Sequence, residues 1–228
     1  ARNDLTPDAR DAAFARISAV PAITDAPPVP LLIEAITESL QAKRDALAAA
    51  ATHLGPRAIL ATNTSSISVT AIAAAVPHPA RVIGMHFFNP VPVMALIELV
   101  KAITTSEETV EFARAFGVML GKTTVESRDR AGFIVNRLLI PYLNAAVRML
   151  EEGFATREDI DTAIHLGLNH PMGPLQLVDF IGVDTTLFVA NVLYEEFRDP
   201  LYAAPPLLKR MVTAGHLGRK TGRGFYEY

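Results

Sequence analysis

The sequence contains no cysteine, which rules out disulfides, a thiolate nucleophile and any zinc site built on thiolates. Long apolar runs are also missing. Charges, prolines or glycines interrupt the apolar stretches within about ten residues, well short of the roughly 20 needed to span a bilayer. No basic stripe offsets the formal charge of -3, so the electrostatic footprint of a nucleic-acid binder is lacking. Residues 1–10 do not have the basic-then-apolar layout of a signal peptide. These exclusions leave a cytoplasmic, globular protein for which neither metal, membrane nor nucleic acid is an expected partner. Glycine is absent from residues 1–30, and the chain opens Ala-Arg-Asn-Asp without an initiator Met. It is expected to be a piece of something longer.

What is present describes an enzyme-sized chain. Its 228 residues are half apolar and one-fifth charged, enough for a substantial core in one large or two smaller domains. A weakly helical pattern runs from Leu5 to Val20, followed by a proline-rich loop from Pro21 to Pro30. From there apolar runs alternate with helical patterns. Buried strands are predicted at Leu31 to Ile36, Ala58 to Ala61, Val82 to Phe88, Leu96 to Val100 and Thr123 to Glu126. Helices are predicted at Glu38 to Leu54, Ser68 to Val76 and Glu107 to Leu120. Near-continuous apolar strands alternating with helices indicate a parallel sheet covered on both faces. Beyond Ser127 the strand signals stop, and helices are predicted at Phe133 to Leu150, Arg157 to Leu166, Leu175 to Ile181, Thr185 to Phe197 and Leu207 to Thr213. The expected architecture is α/β over residues 1–127 followed by an all-α domain over 128–228.

In open α/β sheets ligands bind outside the carboxyl ends of the strands. The densest unusual stretch, Gly84-Met85-His86-Phe87-Phe88-Asn89-Pro90-Val91-Pro92, has that address, and His86 is the best placed of six histidines. A core histidine with a satisfied ring is the plainer alternative. Glu98 stands twelve positions later inside Ala95-Leu96-Ile97-Glu98-Leu99-Val100. Burying a carboxylate among aliphatics costs several kcal/mol unless it is paired, and His86 is a natural partner. Such a pair fixes the imidazole tautomer and raises its basicity, as a general base for a hydroxyl proton requires. The alternative puts Glu98 on a wet strand face. Asn63-Thr64-Ser65-Ser66 either caps the next helix or hydrogen-bonds a substrate carbonyl and a nicotinamide. Asn136, in Gly132-Phe133-Ile134-Val135-Asn136-Arg137, reads by pattern alone as structural. The glycine-rich, basic Gly218 to Tyr226 neither follows a predicted strand nor opens a helix. It fails as a phosphate loop and reads as a tail packing its aromatics, with Lys220 near a phosphate as a further option.

Taken in order, Asn63-Thr64-Ser65-Ser66, Gly84 to Pro92, Gly132 to Arg137, His170-Pro171-Met172-Gly173-Pro174 and Lys220-Thr221-Gly222-Arg223-Gly224-Phe225-Tyr226 resemble the motifs of 3-hydroxyacyl-CoA dehydrogenases. The similarity runs from about Leu31 to Tyr228. It implies NAD as cofactor, an acyl-CoA substrate of the 3-hydroxybutyryl type and a homodimer formed through the helical domain. It implies that a partial Rossmann-type domain precedes the all-α domain. His86 would be the catalytic base and Glu98 would orient it. Ser65 and Asn136 would position the substrate oxygens, with Ser65 also at the nicotinamide. Glu38, Lys43, Asn89 and Lys220 match positions lining the NAD site. The family opens with a strand, a glycine-rich turn and a helix, and nothing of that kind precedes Leu31. Two rivals follow: a relative acting on a sugar acid, and a truncated, non-catalytic helical dimer.

Overall fold

The computed structural model describes residues 6–228. Leu5, where the first helical pattern begins, and half of the segment scanned for a signal peptide lie outside the described residues. Helix α1 (Pro7–Phe14) starts at a Thr6 cap and stops well before Val20. Phe14 and Ile17 are both exposed, so no apolar contact is present to extend a helix of weak intrinsic stability.

Among the described residues one five-stranded sheet forms, in the spatial order β1 (Leu31–Glu34), β2 (Ile59–Thr62), β3 (Val82–Phe87), β4 (Leu96–Lys101) and β5 (Thr123–Arg128). No strand precedes β1 among them. The first three strands are mutually parallel, connected through α2 (Leu40–Leu54) and α3 (Val69–Ala73). Strand β4 runs antiparallel to β3, and β5 is parallel to β4 across α4 (Glu107–Met119). The reversal follows from chain length: segment 88–95 is too short for the crossover of about a dozen residues that a parallel return needs.

Leu31 to Ile36, expected as a buried strand, is a correction. Leu31 and Leu32 are half-buried, Ile33 and Ile36 are exposed, and the buried residue of β1 is Glu34. Position in the sheet explains it, because among the described residues β1 is paired on one side only. The central strands do match the apolar pattern. β2 is buried throughout, and Ile83, Met85, Ile97 and Leu99 pack with Val110 and Ala113 of α4. On the opposite face, Leu47 and Ala50 of α2 meet Leu60, Ile72, Val82 and Val100.

The remaining elements are helical: α5 (Val135–Glu151), α6 (Arg157–Gly167), α7 (Pro174–Ile181), α8 (Val183–Phe197) and α9 (Pro206–Thr213). Their core gathers Leu143, Val147, Leu175, Val183, Leu193 and Leu208. Helices α7 and α8 meet at 96° across Gly182. Its φ of 109° is a conformation open chiefly to glycine. No single helix among the described residues is long and apolar enough to cross a membrane. The glycine-rich end of the chain packs as a tail: Asp179 of α7 accepts the amides of Phe225 and Tyr226 and the Tyr228 hydroxyl. Gly224 lies so close to Asp179 that a Cβ there would overlap the carboxylate.

Candidate active site

The antiparallel β3–β4 pair places His86 directly opposite Glu98 in the ladder. Twelve residues apart in sequence, they are cross-strand neighbours on one face, where Cβ atoms stand about 4.5–5.5 Å apart. Glu98 Oε2 lies 2.7 Å from His86 Nδ1. The other oxygen, Oε1, accepts the backbone amides of Ile134 and Val135, each at 3.0 Å. These amides open α5, whose N-terminal partial positive charge favours an anion. Glu98 is fully buried, yet it meets three donors and the N-terminal end of a helix.

That arrangement sets the imidazole. An ionised Glu98 accepts Nδ1–H, which leaves the lone pair on Nε2, and Nε2 faces Ser65 Oγ at 3.1 Å. The tautomer follows from the hydrogen-bond network rather than from observed protons. Phe88 and Phe133 flank the ring, with centroids 4.6 and 5.5 Å from it. Phe133 reaches this position through a left-handed backbone, φ 48°, immediately after Gly132 at φ 75°. The predicted helix therefore starts two residues late, at Val135, and its freed amides serve Glu98.

Ser65 belongs to the polar turn after β2. There Glu38 acts as a clamp: its Oε1 accepts the Thr64 hydroxyl at 2.5 Å, the Ser65 amide at 3.1 Å and the Ser66 hydroxyl at 3.1 Å. Burial pushes the Glu38 carboxyl up, but the Thr64 hydroxyl, Lys43 and the Ser65 amide together bring it below its ordinary value. Asn63 Oδ1 accepts the Phe87 amide at 2.9 Å, tying the turn to the end of β3. The short α3 is capped by its own Ser68 and by Asp129, which accepts the amides of Val69 and Thr70. Capping is thus done outside the Asn63 to Ser66 cluster, whose Ser65 hydroxyl faces the histidine.

Beside His86 lies a cavity of about 370 Å³, within the range of small-ligand sites. Ser65, His86, Asn89, Asn136, Thr185 and Thr186 supply its polar side chains, and Phe88, Leu139 and Phe180 are among its apolar walls. Four of the expected site residues therefore line one space, with Glu98 behind the histidine. Glu38 touches the Ser65 turn. Lys43 is 1% exposed and sits between Glu34 and Glu38, 2.9 and 3.2 Å from their carboxylates. Lys220 is on the surface, paired with Asp184 at 2.6 Å. It is next to Gly182, between Ile181 and Thr185, which also line the cavity.

Comparison with known proteins shows the family. Residues 1–130 match the model for the 3-hydroxyacyl-CoA dehydrogenase NAD binding domain, and residues 132–228 match that for the 3-hydroxyacyl-CoA dehydrogenase C-terminal domain. The chain belongs to the 3-hydroxyacyl-CoA dehydrogenase family. A 3-hydroxybutyryl-CoA dehydrogenase of Mycobacterium tuberculosis is 48% identical over 98% of this chain and 79% of that protein. The crystal structure of FadB2 from M. tuberculosis superposes with a TM-score of 0.96 at 47% identity, covering 98% of this chain and 79% of that one. The (S)-3-hydroxybutyryl-CoA dehydrogenase PaaH1 from Ralstonia eutropha gives a TM-score of 0.93 at 47% identity, with the same coverage. The α/β architecture followed by helices is that of this dehydrogenase family.

Two groups near the site escaped the sequence reading. Glu34 sits in the apolar strand pattern Leu31 to Ile36, although a carboxylate among aliphatics is the same signal that singles out Glu98. Phe133 had no signal beyond the preceding Gly132, since its contact with the imidazole depends on a backbone turn.

Proposed function

We propose that this chain, a member of the 3-hydroxyacyl-CoA dehydrogenase family, catalyses the NAD-dependent oxidation of a 3-hydroxyacyl-CoA to the 3-oxoacyl-CoA, with His86 as the base. The observation that carries the residue assignment is the line Ser65–His86–Glu98, whose reactive nitrogen opens into the cavity. His86 Nε2 takes the proton of the substrate's 3-hydroxyl. Glu98 holds the ring in the required tautomer and stabilises the imidazolium as the proton arrives. Ser65 and Asn136 hold the substrate oxygens, so that the hydroxyl replaces Ser65 as donor to Nε2.

The cavity suits the nicotinamide end of NAD: it lies at the carboxyl ends of β2 and β3, has polar groups at Ser65 and Asn89, and has aromatic walls. Bound there, NAD supplies the acceptor for the hydride leaving C3. Ser65 and Asn89 are the residues placed to orient it, with Glu38 setting the Ser65 turn. Lys43 and Lys220 are assigned to the cofactor on resemblance; Lys220 reaches a phosphate by exchanging Asp184 for it.

Residues 1–127 serve as the cofactor-binding unit and 128–228 as the unit that completes the acyl pocket and forms a homodimer. Exposed Leu138, Phe154, Leu166 and Leu168 on the helical part support the second role. The test of substrate class compares NADH formation from 3-hydroxybutyryl-CoA with that from free 3-hydroxybutyrate and from sugar acids. Turnover of the thioester at least about a hundredfold faster is expected, a difference of roughly 3 kcal/mol in transition-state binding; equal or faster turnover of the free acids would sink the assignment.

A further inference from the structure

β1 ends in a carboxylate that the reaction outlined above does not use. Glu34 is 5% exposed and is hydrogen-bonded from three directions. Its Oε1 accepts the Ile36 amide at 2.6 Å, its Oε2 accepts the Thr62 hydroxyl at 2.7 Å, and both oxygens receive Lys43 Nζ, at 2.9 and 3.2 Å. Glu34 and Thr62 are partners in the parallel β1–β2 ladder, and the Asn63 amide donates to the Glu34 carbonyl at 2.8 Å.

Each of these partners leads to the catalytic turn. Ile36 stands two residues before Glu38. Thr62 directly precedes the Asn63 to Ser66 turn. Lys43 bridges onward to Glu38 Oε2 at 3.2 Å, and Glu38 Oε1 holds Thr64, Ser65 and Ser66. One buried carboxylate thus pins the exits of two strands to each other and fixes the charge partner of the residue that clamps Ser65. A buried ion pair is weak grounds for stability, because apolar residues of similar volume often serve as well. Fixing geometry is what this network does that an apolar contact would not.

We propose that Glu34 is a positioning residue for the dehydrogenase reaction, setting Ser65 against His86 through Thr62, Lys43 and Glu38; this rests on the reading of Ser65 and His86 given above. Glu34 does not line the cavity beside His86. Its effect is routed through the turn, and it therefore depends on the Ser65 hydroxyl being there to position.

A double-mutant cycle in the full-length protein tests that dependence. Glu34→Gln keeps the shape and removes the charge. Thr62→Val keeps β-branching and volume and removes only the hydroxyl, so it carries the cycle if Glu34→Gln does not fold. Each variant is expected to lower kcat for 3-hydroxybutyryl-CoA about tenfold with Ser65 present, a coupling normal for one hydrogen-bond network. In a Ser65→Ala background the further loss is expected to shrink to less than about twofold. A purely structural role would lower kcat by the same factor in both backgrounds, and that additive result, or no loss with Ser65 present, overturns the proposal. A Ser65→Ala enzyme as fast as the parent overturns the reading of Ser65, and this inference with it.

Discussion

A carboxylate with no solvent contact needs hydrogen-bond donors from the protein, and Glu98 meets three, His86 and two amides of α5. Replacing it by Gln keeps the size but turns one acceptor into a donor. Facing either the imidazole N–H or the two amides, that donor leaves groups unpaired at about 1–3 kcal/mol each. We therefore expect Glu98→Gln to lower both the unfolding free energy and kcat, the latter by about a hundredfold as the base loses its orientation. Urea titration and NADH formation read the two effects. Glu38 adds a pH dependence. Its folded pKa is lowered, so its contribution to stability is present above its ordinary pKa of about 4.5 and is lost as pH falls through the lower folded value. Urea midpoints of the parent and of Glu38→Gln are expected to converge under acid below that range and to separate above it. The pairing of His86 with Glu98 was legible because burial cost alone demands a partner. What was not legible is the reason for the twelve-residue spacing, since the antiparallel turn between β3 and β4 is a property of the connection. Lys43 and Lys220 show the limit from the other side: charge in a motif does not reveal whether a carboxylate of the same chain already holds it.

At the scale of elements, the site depends on how closely β3 and β4 approach. Gly84 faces Val100 in the ladder, two residues before the His86–Glu98 pair. A Cβ at Gly84 would stand 2.7 Å from Val100 Cβ and 2.9 Å from a methyl of Val69. Gly84→Ala is expected to cost about 1–3 kcal/mol as overpacking, and to slow turnover because any relief moves one strand against the other. A thermal scan with a turnover assay checks it; an unchanged melting temperature would contradict the packing account. Most helices and strands followed from apolar periodicity within a residue or two, because α2, α4 and the last five helices bury regular faces. The misses lie where tertiary context decides. Among the described residues β1 is an edge rather than a buried strand, α1 lacks a surface to cover its apolar side, and α5 begins late because Phe133 turns toward the histidine.

For the molecule as a whole, the sheet and the turn after β2 supply His86 and Ser65, while the helical part supplies Asn136, Leu139 and Phe180 to the same cavity. Neither part encloses the site alone. Leu138, Phe154, Leu166 and Leu168 are exposed, and the proposed homodimer would cover them. Sedimentation equilibrium is expected to give twice the chain mass, with Leu138→Arg and Phe154→Arg together shifting it toward the monomer. The central claim concerns chemistry, and it is most directly tested by the kcat of His86→Gln with 3-hydroxybutyryl-CoA and NAD, measured beside the affinity for the acyl-CoA. The account predicts a loss of about 10²–10⁴-fold in kcat with affinity nearly unchanged. A variant that retains kcat within a few-fold of the parent would contradict His86 as the base.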